Sequence, residues 1–127
     1  MNNGYRTLSH VEKVYLDSEL LSDMATKMGE VGADQKVTQA MEKSMSCLCS
    51  IQKAVSLGKM DDLLRLTHEL TEIAGNVGMT SYANVAADVH QCAVDGNSVA
   101  LSATLARLHR IGDRSIMAVW GLEDMSV

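Results

Sequence analysis

The side chains best suited to act as nucleophile, base or metal ligand near neutral pH are few: four histidines and three cysteines. One of them, His68, is set apart by its placement. At about 100° of turn per residue, Leu63, Leu66, Leu70, Ile73 and Val77 of the stretch LLRLTHELTEIAGNVGM fall on one stripe of a helix. His68 lies on the opposite side and points to solvent. An imidazole displayed in this way is either an ordinary surface residue or a nucleophile open to a partner. The other histidines read as structure. His90 sits at the edge of its own apolar stripe, packed or half-exposed. His109, next to Leu108, and His10, between Ser9 and Glu12, read as residues facing water. No local histidine spacing suggests a zinc site. Cys47 and Cys49 are two residues apart on a predicted helix and point about 200° away from each other, a poor metal clip. Cys47 and Cys92 fall near apolar stripes and read as small core residues. There is no Gly-rich phosphate loop, serine elbow or paired-carboxylate signature.

The composition says what must hold His68. The chain has 127 residues, 46% hydrophobic, with no proline, no phenylalanine and nine methionines. A core built from Leu, Val, Ile, Ala and Met suits close helix packing and lacks the aromatic and β-branched alternation of sheets. The expectation is an all-α fold in one domain, 1–127, long enough to bury a real core. The net charge of −5 argues against nucleic-acid binding as the main role, which needs a clustered basic face. Partners with basic or mixed surfaces fit it better. No apolar run approaches the ~18–20 residues of a membrane span, and no signal peptide is evident. With an odd cysteine count, this predicts reduced thiols in the cytoplasm.

Along the chain, Ser9 and Glu12 form a capping-box pattern, with Thr7 an alternative cap. They predict a first helix over about 7–28, with Val11, Val14, Tyr15, Leu21 and Met28 as its apolar positions. Gly29 and Gly32 mark a turn. Asp34 then caps a helix to about Leu57, with Val37, Met41, Ser44, Leu48, Ile51 and Val55 as its seam, and Gly58 stops it. Asp61 or Asp62 opens the helix that carries His68. Thr80 caps the next, which turns Tyr82, Val85, Ala86, Val89 and Cys92 inward. Asp95-Gly96-Asn97 is a strong turn, and the last helix runs from Ser98 to about Trp120. Loops this short place successive helices antiparallel. Residues from about 34 to 120 are therefore expected to form an up-and-down four-helix bundle, with the additional amino-terminal helix across an end or flank.

From His68 onward the spacing resembles the histidine-containing phosphotransfer (HPt) domain of phosphorelays. That family has an exposed histidine, an apolar residue at +2, lysine at +3, glycine at +4, a small residue at +6 and an apolar-Gly pair at +9 and +10. Here these positions are His68, Leu70, Thr71, Glu72, Ala74, Val77 and Gly78. The next helix matches at Tyr82, Val85, Ala86 and Val89, and the likeness covers roughly residues 35–120. Two positions depart from the pattern. Thr71 stands where the family has the lysine that helps hold the phosphoryl group. Glu72 stands where it has the glycine that leaves room beside the imidazole. One turn from His68, the Glu72 carboxylate either repels a phosphoryl group or hydrogen-bonds the second ring nitrogen and makes the other a better nucleophile. Arg65, one turn before His68, is the candidate for the missing cation. Where the family often has glutamate, this chain has His90.

The resemblance implies a carrier with no kinase or nucleotide site of its own. His68 would take a phosphoryl group from the aspartyl phosphate of one response-regulator receiver domain and pass it to another, with Mg²⁺ supplied by the receiver. The implied partners are receiver domains and a hybrid histidine kinase, without nucleic acid, membrane or small-molecule substrate. Leu64, about 40° round from His68, and Gly75, two turns on, make a small apolar, low-profile patch for docking. Two other readings stand beside the carrier: an HPt-like module that has lost transfer but docks and regulates a receiver or kinase, and an unrelated helical scaffold in which His68 is incidental.

Overall fold

The structure, a computed structural model, describes residues 14–125, with side chains to residue 119. The described elements are four α-helices: α1 Ser18–Ser56, α2 Met60–Asn76, α3 Thr80–Asp95 and α4 Ser98–Met125. The links between them are two or three residues long, so each helix runs antiparallel to the one before it. α1 packs on α2, α2 on α3 and α3 on α4, while α1 and α4 touch lightly. The all-α, up-and-down arrangement expected from the periodicity is what forms.

The amino-terminal portion differs from expectation. The capping pattern at Thr7, Ser9 and Glu12, with Val11, lies outside the described residues, but Val14 to Asp17 are not helical. Their backbone is committed elsewhere. Tyr15 N donates to Ser81 Oγ at 2.8 Å, Ser81 N donates to Tyr15 O at 3.3 Å, and Asp17 N donates to Gly78 O at 2.7 Å. These bonds tie the chain to the α2–α3 turn, and the helix starts only afterwards, with Asp17 Oδ1 accepting from Leu20 N at 3.0 Å. Gly78 is needed there twice over. Its φ is +77°, and a Cβ on it would meet Asp17 O at 3.0 Å.

The turn expected over Gly29–Gly32 shrinks to one residue. Gly29, at φ 78° and ψ 163°, kinks α1, and the chain is helical again directly after it. The expected amino-terminal helix is therefore the first arm of α1, and Gly32 and Asp34 lie inside the helix instead of opening it. Within this arm Met24 is the buried residue and Met28 is exposed, as is Tyr15 ahead of the helix. Past the kink, Val37, Met41, Ser44 and Ile51 are buried as the seam predicts, Leu48 is half-buried, and Val55 is exposed. Ala33, Ala40, Cys47 and Ala54 complete the seam.

The helix ends show smaller corrections. Asp61 and Asp62 lie in the first turn of α2, near the positive end of its dipole, but the cap is Lys59 and has no side-chain bond. The cap of α3 is Met79, not Thr80, again without a side-chain bond. Gly96 ends α3 in the left-handed conformation, and Asn97 Oδ1 accepts from Ala100 N at 3.0 Å to cap α4. α4 continues past Trp120 to Met125.

The core holds α2 firmly. Leu63, Leu66, Leu70 and Val77 are buried as the stripe predicts, Ile73 is half-buried, and Thr67 and Ala74 join them. From α3, Tyr82, Ala86 and Val89 are fully excluded from solvent, as is Leu108 of α4. The Tyr82 ring lies against Gly112, where a Cβ would come within 3.0 Å of it. Small residues thus let a large aromatic side chain cross a helix bundle.

Candidate functional site

His68 projects from the middle of α2, and its side chain is 67% exposed. The backbone beneath it is fixed by Leu70 and Ala74, which no solvent reaches. The imidazole is therefore held at a defined height on the bundle while its ring is open to a partner. Nε2, at the tip of the ring, lies 3.3 Å from Glu72 Oε1, and Glu72 is equally exposed. Of the two effects expected of Glu72, the structure shows the contact to a ring nitrogen. The nitrogen it meets is the outer one.

Arg65 does not turn toward His68. Its guanidinium lies 3.6 Å from Asp62 and 3.7 Å from Glu69, and its side chain is 59% exposed. Thr71 Oγ1 donates to Thr67 O at 2.9 Å, so its hydroxyl is used within its own helix. Leu64 is half-buried and packs on the core, so it contributes less to an exposed patch than expected. Gly75 is exposed, and a Cβ on it would make only an ordinary contact with Ala83 at 3.9 Å. The charge on α2 is lopsided: Asp61, Asp62, Glu69 and Glu72 against Arg65 alone.

A residue read from the sequence as structural lies next to His68. His90, half-buried on α3, has its ring centroid 6.2 Å from that of His68, with the planes tilted by 53°. Its Nδ1 is 3.1 Å from Leu64 O and 3.1 Å from Thr67 Oγ1. Thr67 Oγ1 itself donates to Leu63 O at 2.8 Å. A carbonyl oxygen only accepts, so Nδ1 of His90 carries the proton, and its tautomer is fixed by the α2 backbone. The sequence did hold a signal for this neighbour. His68 and His90 each stand eleven residues from Met79, in the α2–α3 turn. Equal rise along two antiparallel helices then brings them to the same level.

The remaining candidates lie elsewhere. His109 is half-buried, not fully in water. Its Nε2 is 2.9 Å from Gln52 Nε2, which bridges α4 to α1. His10 lies outside the described residues. Cys47 is buried, and its thiol donates to Leu66 O at 3.3 Å. Burial, and secondarily the negative charge of Glu69, push that thiol up to about 11, so it remains protonated at neutral pH. Cys49 is exposed and Cys92 half-buried. Among the described residues, no three His, Cys, Asp or Glu side chains are grouped to hold a metal ion, and no helix is long and apolar enough to cross a membrane.

The fold is similar to the crystal structure of histidine-containing phosphotransfer protein B from Pseudomonas aeruginosa PAO1. The TM-score is 0.78, the match covers 88% of this chain and 96% of that one, and the identity is 18%. The likeness is one of fold. No protein-family model matches the chain, and no curated protein matches it.

Proposed function

We propose that this protein is a histidine phosphocarrier of a phosphorelay, with His68 as the group that bears the phosphoryl. The observation that carries this reading is an imidazole displayed in solvent from the rigid middle helix of a bundle, in a fold shared with a phosphotransfer protein. In the reaction, a ring-nitrogen lone pair of His68 attacks the phosphorus of an aspartyl phosphate on a receiver domain. The N–P bond forms as the P–O bond to the aspartate breaks, and the carboxylate leaves with the bonding electrons. The reverse step delivers the group to a second receiver. Mg²⁺ belongs to the receiver, and the carrier supplies position.

Glu72 bears directly on this chemistry. It lies against Nε2, the nitrogen that a docked partner reaches first, so uptake there requires its carboxylate to swing aside. Being exposed, it is free to do so. It also adds negative charge beside an incoming group carrying about two negative charges. The same contact favours a second reading, in which Glu72 blocks transfer and the protein only docks receivers.

Purified protein incubated with a panel of phosphorylated receiver domains separates the two. The carrier gives acid-labile, base-stable label on wild type and none on His68→Gln, and Glu72→Gln raises the uptake rate several-fold. A stable receiver complex with no label on wild type establishes the docking module instead.

A further inference from the structure

We propose that His90 is a second functional residue of this site, binding the phosphoryl group on His68 through a hydrogen bond donated from Nε2. This rests on the phosphocarrier reading above, and four observations lead to it.

The first is that the His90 ring is held in place. Nδ1 is tied to Leu64 O and Thr67 Oγ1, each at 3.1 Å, within the α2–α3 seam. Nδ1 therefore has a fixed task, and the task belongs to the helix that carries His68. Secondly, Nε2 has no hydrogen-bond partner among the described residues, so it is available. The third observation is spacing. The ring centroids are 6.2 Å apart, and no hydrogen bond joins the two rings. A tetrahedral group attached to one ring can place an oxygen between them.

The fourth is charge. A phosphoryl group on His68 carries about two negative charges and meets an acidic helix. Arg65, the cation of α2, is shared between Asp62 and Glu69. Thr71, where the resembling family has lysine, bonds its own backbone. Of the charged groups on the packed elements, Glu72 of α2 pairs with His68, and Asp88 of α3 is met by Arg107 of α4 at 3.7 Å. Asp95 of α3 accepts from Gln91. On the α1 side, Lys43 lines a depression with Glu69 and Glu72; on the α3 side, His90 stands directly beside His68 and can add a positive charge. A dianion arriving nearby favours the imidazolium, with Nδ1–H kept on Leu64 O and Nε2–H, its proton taken from solvent, donated to a phosphoryl oxygen.

Amide substitutions distinguish the two ring nitrogens. The amide nitrogen of asparagine can take the place of Nδ1, and that of glutamine the place of Nε2. The experiment uses a phosphorylated receiver that labels wild type and measures how the phosphoryl group distributes between receiver and carrier. The carriers are wild type, His90→Gln, His90→Asn and His90→Ala, each checked by thermal melting. The expected result is a tenfold loss of carrier-bound phosphoryl in His90→Ala and His90→Asn, with His90→Gln between these and wild type, because its amide keeps the hydrogen bond and loses the charge. In ¹⁵N spectra of wild type, His90 Nε2 should change from an unprotonated to a protonated shift on phosphorylation, a readout that needs no variant to fold. If His90→Asn behaves as wild type and His90→Gln as the alanine variant, His90 is a structural tie and the proposal is overturned. An unchanged Nε2 shift on labelled wild type overturns it as well. Wild type that takes no label from any receiver overturns the carrier reading, and this proposal with it.

Discussion

Two seams of the bundle carry a half-buried histidine, and they differ in what the histidine holds. On the α2–α3 seam, His90 bonds a backbone carbonyl and a buried threonine, and its tautomer is fixed. On the α1–α4 seam, His109 meets the amide of Gln52, an exposed side chain, where the helices touch lightly. A backbone carbonyl inside a helix cannot move away, whereas an exposed amide can rotate. The first seam can hold an imidazole to a defined position beside His68. The second joins two elements with little consequence for either. A histidine's value here depends on how rigid its partner is.

Truncation of the packed side chains gives the largest expected contrast. Leu70→Ala, on the side of α2 that no solvent reaches, should cost about 2–5 kcal/mol in urea unfolding. Leu105→Ala, at a half-buried position of α4, should cost less than half as much. Equal costs would remove the distinction between a fully buried position and a half-buried one.

Next in size is the seat of the amino-terminal segment. Gly78→Ala forces a side chain into a left-handed backbone and against Asp17 O, and about 1–3 kcal/mol should be lost. Amide exchange at Tyr15 and Asp17 should rise with it, because their bonds to Ser81 and Gly78 are what the substitution disturbs.

Alkaline pH probes α1 against α2 through Cys47. Its thiol is raised from 9.0 to about 11 in the folded protein, so the folded state holds a proton that the unfolded state gives up. Stability should be complete below pH 9 and fall as pH rises toward 11. Cys47→Ala, measured by urea unfolding across that range, should flatten the fall. A slope unchanged by the substitution would place its cause elsewhere.

The smallest effect belongs to the loose seam. Gln52→Ala should change stability by no more than about 0.5 kcal/mol and leave the ring resonances of His68 in place. Movement of those resonances would mean that the two seams communicate.

Much of this architecture was legible in the sequence because local chemistry dictates it. The 3-4 spacing of Leu63, Leu66 and Leu70 and the turn at Asp95-Gly96-Asn97 each act within one or two turns, and both appear as expected. The amino-terminal portion was not legible, because Tyr15 and Asp17 take their partners from residues more than sixty positions away. The capping pattern near Ser9 carries no trace of that competition. The exposure of His68 follows from periodicity, and it is observed. Leu64 sits deeper than its angle implied, half-buried against the core. His90 is half-buried, as its place at the edge of a stripe implied, but its partners lie on another helix, and only the register about Met79 connects them.

His68, alone of the four histidines, is proposed to carry the phosphoryl group. The measurement that tests it most directly is site mapping by mass spectrometry at alkaline pH, after exposure of the intact protein to a phosphorylated receiver. A single phosphorylated peptide, the one containing His68, is expected. Phosphate on His10, His90 or His109, with His68 unmodified, would contradict it.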